Sequence, residues 1–533
     1  MISCMNDVKK PAHTLLTALV SLYLTLVFLV RPAISTALLA QDGFYLMPPL
    51  LTGAAFFALC YGLLHLASRR VKTLFTHASE RTSLSPALFL GVSACVFVFY
   101  VLYLLSEYPG GFSPDTKWQW EQAHTLAFND HHPFFHTLLF WLLTRIWDSY
   151  TFLLLVQIAA LSLGFGYLAA SMRAWGFRLP LILPVCFAGA FSFATRSIAL
   201  FCWKDTALSI FCLYLLPHLF HMVLTRGEWL QKPGHRIAFG VLIACITLVR
   251  HNAVLFTAPL LVLLPFAFPR TRRAALRVTA LVVALVIGVK GPLQSLCNVE
   301  SAPSTYLETT GLPMTILCSA YALAPETMPQ DALALMQTIA PQEAFAQTYQ
   351  FGDYNSVKWA FDLKQEHLSA LPLSEFLGMT LRTAAANPML ALRSVLELTA
   401  MVWDPSGEQY ALSVPPYGEP PEYVPLPGQV QVFFEQLFQL IDGAFNGVIY
   451  QKLTSQLGIL MVVLLLALYL SIHRFRGWTA LWLAAPVLCY NFGTMLLLCG
   501  PDFRFFHFNV LIVWPLTALL ASKPAQAQSE TCK

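Results

Sequence analysis

Apolar runs long enough to cross a bilayer recur along most of this chain, and they restrict its fold more than any other feature. About 20 consecutive apolar residues, wound as a helix, cover roughly 30 Å of hydrocarbon. Only 11% of the 533 residues are charged and 57% are hydrophobic, against about 25% charged in an ordinary soluble domain, which excludes one large soluble core. Inside a membrane each backbone polar group must be satisfied within the protein, so only helices or closed barrels span it. The runs lack the alternation of barrel strands. The expected fold class is therefore all-α, a polytopic transmembrane helical bundle.

Reading runs against their flanking charges predicts twelve spans, at about 13–30, 47–67, 85–105, 150–170, 179–196, 206–223, 237–250, 253–268, 278–296, 457–472, 478–498 and 506–522. The first is an uncleaved span, since no convincing small-residue cleavage site follows it. Lys9 and Lys10, the 68–72 SRRVK segment, Arg173 and Arg178, the basic residues of 226–236, PRTRRAALR at 269–277 and HRFR at 473–476 all fall on one side. By the positive-inside rule that side is cytoplasmic, and both termini lie on it. The expected location is a bacterial inner membrane.

This parity holds only if FFHTLLFWLLTRIW, 134–147, does not cross. At 1.5 Å per residue it reaches about 21 Å, short of the hydrocarbon thickness, so it is expected to lie in the interface, with Trp141 and Trp147 at headgroup depth. The same argument allows 237–250 and 253–268 to form a re-entrant hairpin. The predicted organisation is an N-terminal transmembrane module over 1–296 with an outer loop at 106–149, a periplasmic and interfacial region over 297–456, and C-terminal spans over 457–533. Within the middle region, 374–403 and 430–450 are amphipathic, and the Pro-, Gly- and Tyr-rich 403–429 segment predicts an extended cap.

The twelve cysteines mostly sit in or beside apolar runs with no CxxC pair, as core fillers do. Cys297 and Cys318 would be able to pair if their loop is periplasmic. The formal charge of +4 comes from span-flanking Lys and Arg; with no basic stripe interleaved with aromatics, nucleic acid is not an expected partner.

Five polar motifs interrupt the apolar pattern at outer span ends, where charge is costly and usually serves a purpose. Asp115, in SPDTKWQW, is either a helix cap or first-turn acid, or a general base or cation ligand at the surface. NDHHPF supplies Asp130, His131 and His132 before a helix-starting Pro133, as caps or as ligands for phosphate or metal; no second ligand pair has zinc spacing. WKD places Lys204 and Asp205 at the start of a span, as a local ion pair or a phosphate contact. RHN puts Arg250, His251 and Asn252 in a tight turn between apolar runs, where a cavity-facing site is favoured over snorkelling. PDFRFFHF offers Asp502, Arg504 and His507, as a loop salt bridge or a bidentate clamp on a diphosphate.

The order of these motifs resembles the GT-C superfamily of integral-membrane glycosyltransferases, which includes protein mannosyltransferases and the aminoarabinose transferases of lipid A. The likeness covers roughly 85–300: an acid in the first large outer loop (Asp115), two juxtamembrane helices near 116–128 and 134–147, and an HP motif at 131–133. The aromatic FRFFHF turn is similar to the RY-type turn of many relatives. The set PDTKWQWEQA, NDHHP, WKD, RHN, ETTGLP and PDFRFFHF resembles more closely an uncharacterised family of bacterial multi-pass proteins placed near that superfamily, with no established substrate. The chain departs from the mannosyltransferases in having Asp115 followed by Thr116 rather than an Asp-Glu pair, and two extra spans precede the loop.

The resemblance implies inverting transfer of a sugar from a polyprenyl-phosphate donor to a lipid, glycan or protein acceptor. Asp115 would be the base, and Lys204, Arg250 and Arg504, then His131 and His132, would neutralise the leaving phosphate. Asp205 would orient Lys204, Asn252 would belong to the binding site, and Glu308 of LETTGLP would reach it from the long loop. No cofactor is implied, and a divalent metal is compatible but not required. The competing classes are an O-antigen polymerase or ligase, which lacks the early acidic loop, and a transporter or flippase, which would carry mid-membrane charges and related halves.

Overall fold

The computed structural model describes residues 2–30, 47–71, 75–78, 81–301, 310–358, 360–361, 371–406, 418–421 and 423–524. Among these residues the chain is almost wholly helical. The exception is a short parallel pairing of Phe75–His77 with Ser522–Pro524, which ties an early loop to the end of the last helix.

Among the described residues, seven helices are long and apolar enough to cross a membrane: Pro86–Ser106, Tyr150–Ala174, Lys204–Leu224, Pro269–Leu296, Leu457–Phe475, Thr479–Leu497 and Phe503–Leu520. The chain is thus a membrane-embedded helical bundle. Leu179–Ala190 and Phe193–Ala199 make an eighth span if taken together, but they are bent by 49° at the break between them. The break buries the Ser192 hydroxyl, which caps the second piece by accepting from the Thr195 amide. The sequence reading ran one span straight through this point. Pro233–Val249 and His251–Ala267 are apolar but shorter than these helices, and they meet at a 3-10 turn.

Small residues let the central helices approach. Pro86–Ser106, capped by Ser85 with proline at its first position, packs along Tyr150–Ala174, where Gly166 faces the Phe89 carbonyl and the Ser93 side chain. No β-carbon fits there, the kind of close contact that drives association in a medium where burying apolar surface gains little. Lys204–Leu224 lies against Tyr150–Ala174 and against Phe508–Leu520. Buried polar groups pair across helices: Asn491 and Asn509 exchange amide hydrogen bonds of 2.8 and 3.0 Å, Tyr100 donates to the Ala190 carbonyl at 2.6 Å, and Trp482 donates to the Leu260 carbonyl at 2.9 Å.

The two short helices expected beside the membrane form close to their expected places in the chain, at Pro114–Thr125 and Phe134–Thr144. They pack together through a buried relay in which His136 Nδ1 donates to Gln119 Oε1 at 3.1 Å and Gln119 Nε2 donates to Thr137 Oγ1 at 3.1 Å. Trp147 is exposed, and the Arg145 guanidinium lies 5.9 Å from the Trp141 ring centre. The middle region has a small core of its own, in which Gly311–Leu323 is covered by Leu373–Ala386 through Phe376 and Met379. The other amphipathic stretch yields Gly428–Asp442, whose Phe438 ring stacks at 4.6 Å on Tyr103 of the first long span. Much of the expected 403–429 cap lies outside the described residues. Cys297 and Cys318 do not pair; both are free thiols, and Cys318 is buried.

Candidate functional site

Two short extended segments run side by side at one end of the bundle. Gly111 and Phe201 are bridged in parallel, and the Gly111 amide donates to the Leu200 carbonyl at 3.0 Å. Gly110 turns into this pairing at a φ of +93°, a left-handed conformation that suits glycine. At Gly111 the Phe201 ring fills the space a β-carbon would need. Each segment then enters a helix. Ser113 caps Pro114–Thr125 by accepting from the Thr116 amide at 3.3 Å, and the Trp203 indole donates to the same hydroxyl at 2.7 Å. With Ser113 as the cap, Asp115 is not needed for that role. After the neighbouring segment, Lys204 and Asp205 open Lys204–Leu224, and Asp205 sits in the first turn, where the helix dipole favours an acid.

This pairing places Asp115 beside Lys204, and the last helical hairpin completes the cluster. Asp115 Oδ2 is 3.6 Å from Lys204 Nζ and 3.1 Å from Arg504 Nη1. Lys204 Nζ is also 2.9 Å from His132 Nδ1. Arg504 leaves a 3-10 turn capped by Asp502, which holds its Nε at 2.8 Å, so the expected loop salt bridge forms and the free end of the guanidinium still reaches Asp115. Beneath them Arg250 pairs with Asp205, whose side chain is 1% exposed. Arg250 Nε donates to Asn252 Oδ1 at 2.6 Å, and Asn252 Nδ2 donates to Thr494 Oγ1 at 3.1 Å.

Phe505 organises both guanidinium groups, with Arg250 at 4.3 Å and Arg504 at 5.3 Å from its ring centre, while Trp203 lies 5.0 Å from Arg504. These aromatic supports were not singled out in the sequence, although WKD and FRFF place them next to the charged residues. His131 meets the rim at Trp118, with ring centres 4.8 Å apart. Asp130 has a local task instead, its carboxylate accepting from the Phe134 amide at 2.9 Å, while its carbonyl lies 2.9 Å from His251 Nε2. Glu308 lies outside the described residues.

The expected residues therefore separate into two layers. Asp115, Lys204 and Arg504 are partly open, at 28%, 16% and 22% side-chain exposure. Arg250 and Asp205 are buried below them as an ion pair, and Arg250 also donates to Asn252. The sequence grouped Arg250 with the phosphate contacts and Asp205 with Lys204; in the structure Arg250 and Asp205 are mutual partners that support Arg504, whose Nε is 4.0 Å from Asp205 Oδ2. Burial alone would raise the Asp115 pKa, but the positive charges of Lys204 and Arg504 outweigh it and hold the carboxyl well below the usual carboxylate range. Burial, reinforced by the Lys204 charge, pushes His132 far down, so its ring is neutral and accepts from the lysine.

Such a cluster presents two partly exposed cations and one ionised carboxylate side by side, above a buried ion pair. It can bind an anion and accept a proton in the same place. Among the described residues no group of three or more His, Cys, Asp or Glu side chains is placed to hold a metal ion. No family model, no curated protein and no solved structure matches the chain.

Proposed function

We propose that this chain is a membrane glycosyltransferase of GT-C type, which transfers a sugar from a polyprenyl-phosphate-linked donor to an acceptor at the outer face of a bacterial inner membrane. In this reading the twelve-span topology holds, with both termini cytoplasmic and the Asp115 cluster facing the periplasm. The observation that carries it is the convergence of Asp115, Lys204 and Arg504, from three distant parts of the chain, at one partly open place.

The acceptor hydroxyl attacks the anomeric carbon, and the new carbon–oxygen bond forms as the bond to the donor phosphate breaks. Asp115 takes the hydroxyl proton, and the phosphate leaves with the electron pair. Lys204 and Arg504 neutralise the charge that develops on it. A carboxylate held by two cations is a poor base. An arriving phosphate competes for the same two cations, and as they turn toward it Asp115 recovers its basicity. The base is thus weak until a donor is present, which suppresses idle proton transfer. Arg250, Asp205 and Asn252 act as positioning residues that fix the height and direction of Arg504.

Asp115→Asn in purified protein, assayed for transfer from polyprenyl-linked sugars, should lower the rate by about 10²–10⁴-fold, the usual contribution of a positioned base. Wild-type activity without the carboxylate would remove Asp115 from the mechanism. For the topology, Asp115→Cys should react with a membrane-impermeant thiol reagent in whole cells; protection there would invert the assigned sides.

A further inference from the structure

Next to the charged cluster is a second concavity that the transfer chemistry does not use. It has a volume of about 720 Å³, within the roughly 300–1,000 Å³ of small-molecule sites. One wall is the bridged pair itself: Gly110, Gly111, Leu200 and Phe201 line the cavity, and Asp115 and Lys204 follow a few residues along the same two segments. The opposite wall is Gly428–Asp442, which turns Gln431, Glu435 and Gln439 inward, and Tyr108 and Tyr423 also line the cavity.

The lining combines flat apolar faces with dense hydrogen-bonding groups. Tyr103 and Phe438 stack at 4.6 Å, and Tyr108 and Tyr423 stand 6.2 Å apart. The floor residue Arg196, 3% exposed, is committed to Asp442 and to Asn446, which accepts from its Nη2 at 3.0 Å. Its Nε–H has no acceptor among the described residues. Because Arg196 is taken up by Asp442, the carboxylates of Glu107 and Glu435 face the cavity uncompensated. Burial, and then the neighbouring Glu435 charge, raise the Glu107 pKa, as expected for two acids that share one cavity.

Resting on the glycosyltransferase reading, we infer that this cavity is the acceptor subsite and that it takes a hydroxyl-rich saccharide without negative charge. Amide and carboxylate groups meet sugar hydroxyls, the aromatic faces meet the ring C–H surfaces, and the surplus of carboxylates repels anionic sugars. A saccharide held here reaches past Phe201 toward Asp115 along the wall the two sites share.

The test uses the full chain in lipid nanodiscs and titrates it, by calorimetry, with tetrasaccharides of glucose, mannose, galactose and glucosamine, and with tetragalacturonate as the anionic control. At least one neutral or amine-bearing tetrasaccharide should bind saturably, the galacturonate should not, and Glu435→Gln and Tyr423→Ala should each weaken binding by about tenfold. Transfer from polyprenyl-linked sugar is measured on the same preparations. Transfer by wild-type protein with no saccharide bound, tighter binding of the galacturonate, or binding untouched by both variants would overturn this inference and leave the enzyme reading standing. Saccharide binding that both variants weaken, in a protein without transfer activity, would overturn the enzyme reading and with it the acceptor role.

Discussion

Replacing Arg250 with alanine should destabilise the bundle more than any single change at the open rim. The substitution leaves the Asp205 carboxylate, 1% exposed, without the guanidinium that pairs with it. The nearest other cation is Arg504, whose Nε is 4.0 Å away and already holds Asp502 at 2.8 Å, while its Nη1 holds Asp115 at 3.1 Å. Arg504 cannot replace Arg250 without releasing those partners. Removing one member of a buried pair costs about 3–5 kcal/mol, because the remaining charge is stranded. The loss of the 2.6 Å bond to Asn252 belongs to the same truncation.

Unfolding free energy, measured by denaturant titration in mixed micelles, reads this loss directly. Arg250→Lys should recover only part of it, since an ammonium cannot reach Asp205 and Asn252 in two directions while lying flat on Phe505 at 4.3 Å. Arg250→Met combined with Asp205→Leu should recover most of it, because a well-packed apolar pair replaces a buried ion pair at little net cost. An Arg250→Ala protein within about 0.5 kcal/mol of wild type, the range of an unremarkable surface change, would refute the argument that Asp205 is ionised and depends on this partner.

Three further outcomes test other parts of the structure. Burial, then the Lys204 charge, lower His136 from 6.5 to about 3, so below 6.5 the unfolded chain binds a proton that the folded one refuses; stability should fall as pH drops from 6.5 toward 3, by up to about 1.4 kcal/mol per pH unit for this group, and His136→Gln should make the measured slope shallower. Gly166→Val should push Pro86–Ser106 off Tyr150–Ala174 at the Phe89 carbonyl and cost about 1–3 kcal/mol, read in the same micelle titration. Lys204→Ala should raise the KM for the polyprenyl donor while leaving a smaller effect on the acceptor KM, because its ammonium faces Asp115 and His132 rather than the neighbouring cavity.

The local features were legible because local chemistry produces them. Hydropathy over a span-length window marks a segment that must satisfy its own backbone in lipid, so Pro86–Ser106, Tyr150–Ala174 and Lys204–Leu224 are visible as runs. A short apolar stretch after a proline marks Phe134–Thr144 as too brief to cross. The five polar motifs stood out because each interrupts such a pattern. The broken span at Phe191 and Ser192 was not visible: the two pieces together read as one apolar run, and the bend depends on how Ser192 and Thr195 close the cap. Arg196 and its cavity are not legible in the sequence either, because its partners Asp442 and Asn446 lie in a different region of the chain.

Sequence by itself determined that this is a helical membrane protein, where its main spans fall, and which polar groups needed an explanation. Tertiary structure alone decided how those groups divide their work. Asp115 could have met any of several cations; helix rotation and the Gly111–Phe201 pairing put it against Lys204 and Arg504, 389 positions away in the case of the arginine. Arg250 and Asp205 found each other beneath them, and so became the floor of the site. Hydrophobic patterning specifies which face of a helix is buried, while the choice of ionic partner rests on distances between helices that no local pattern encodes.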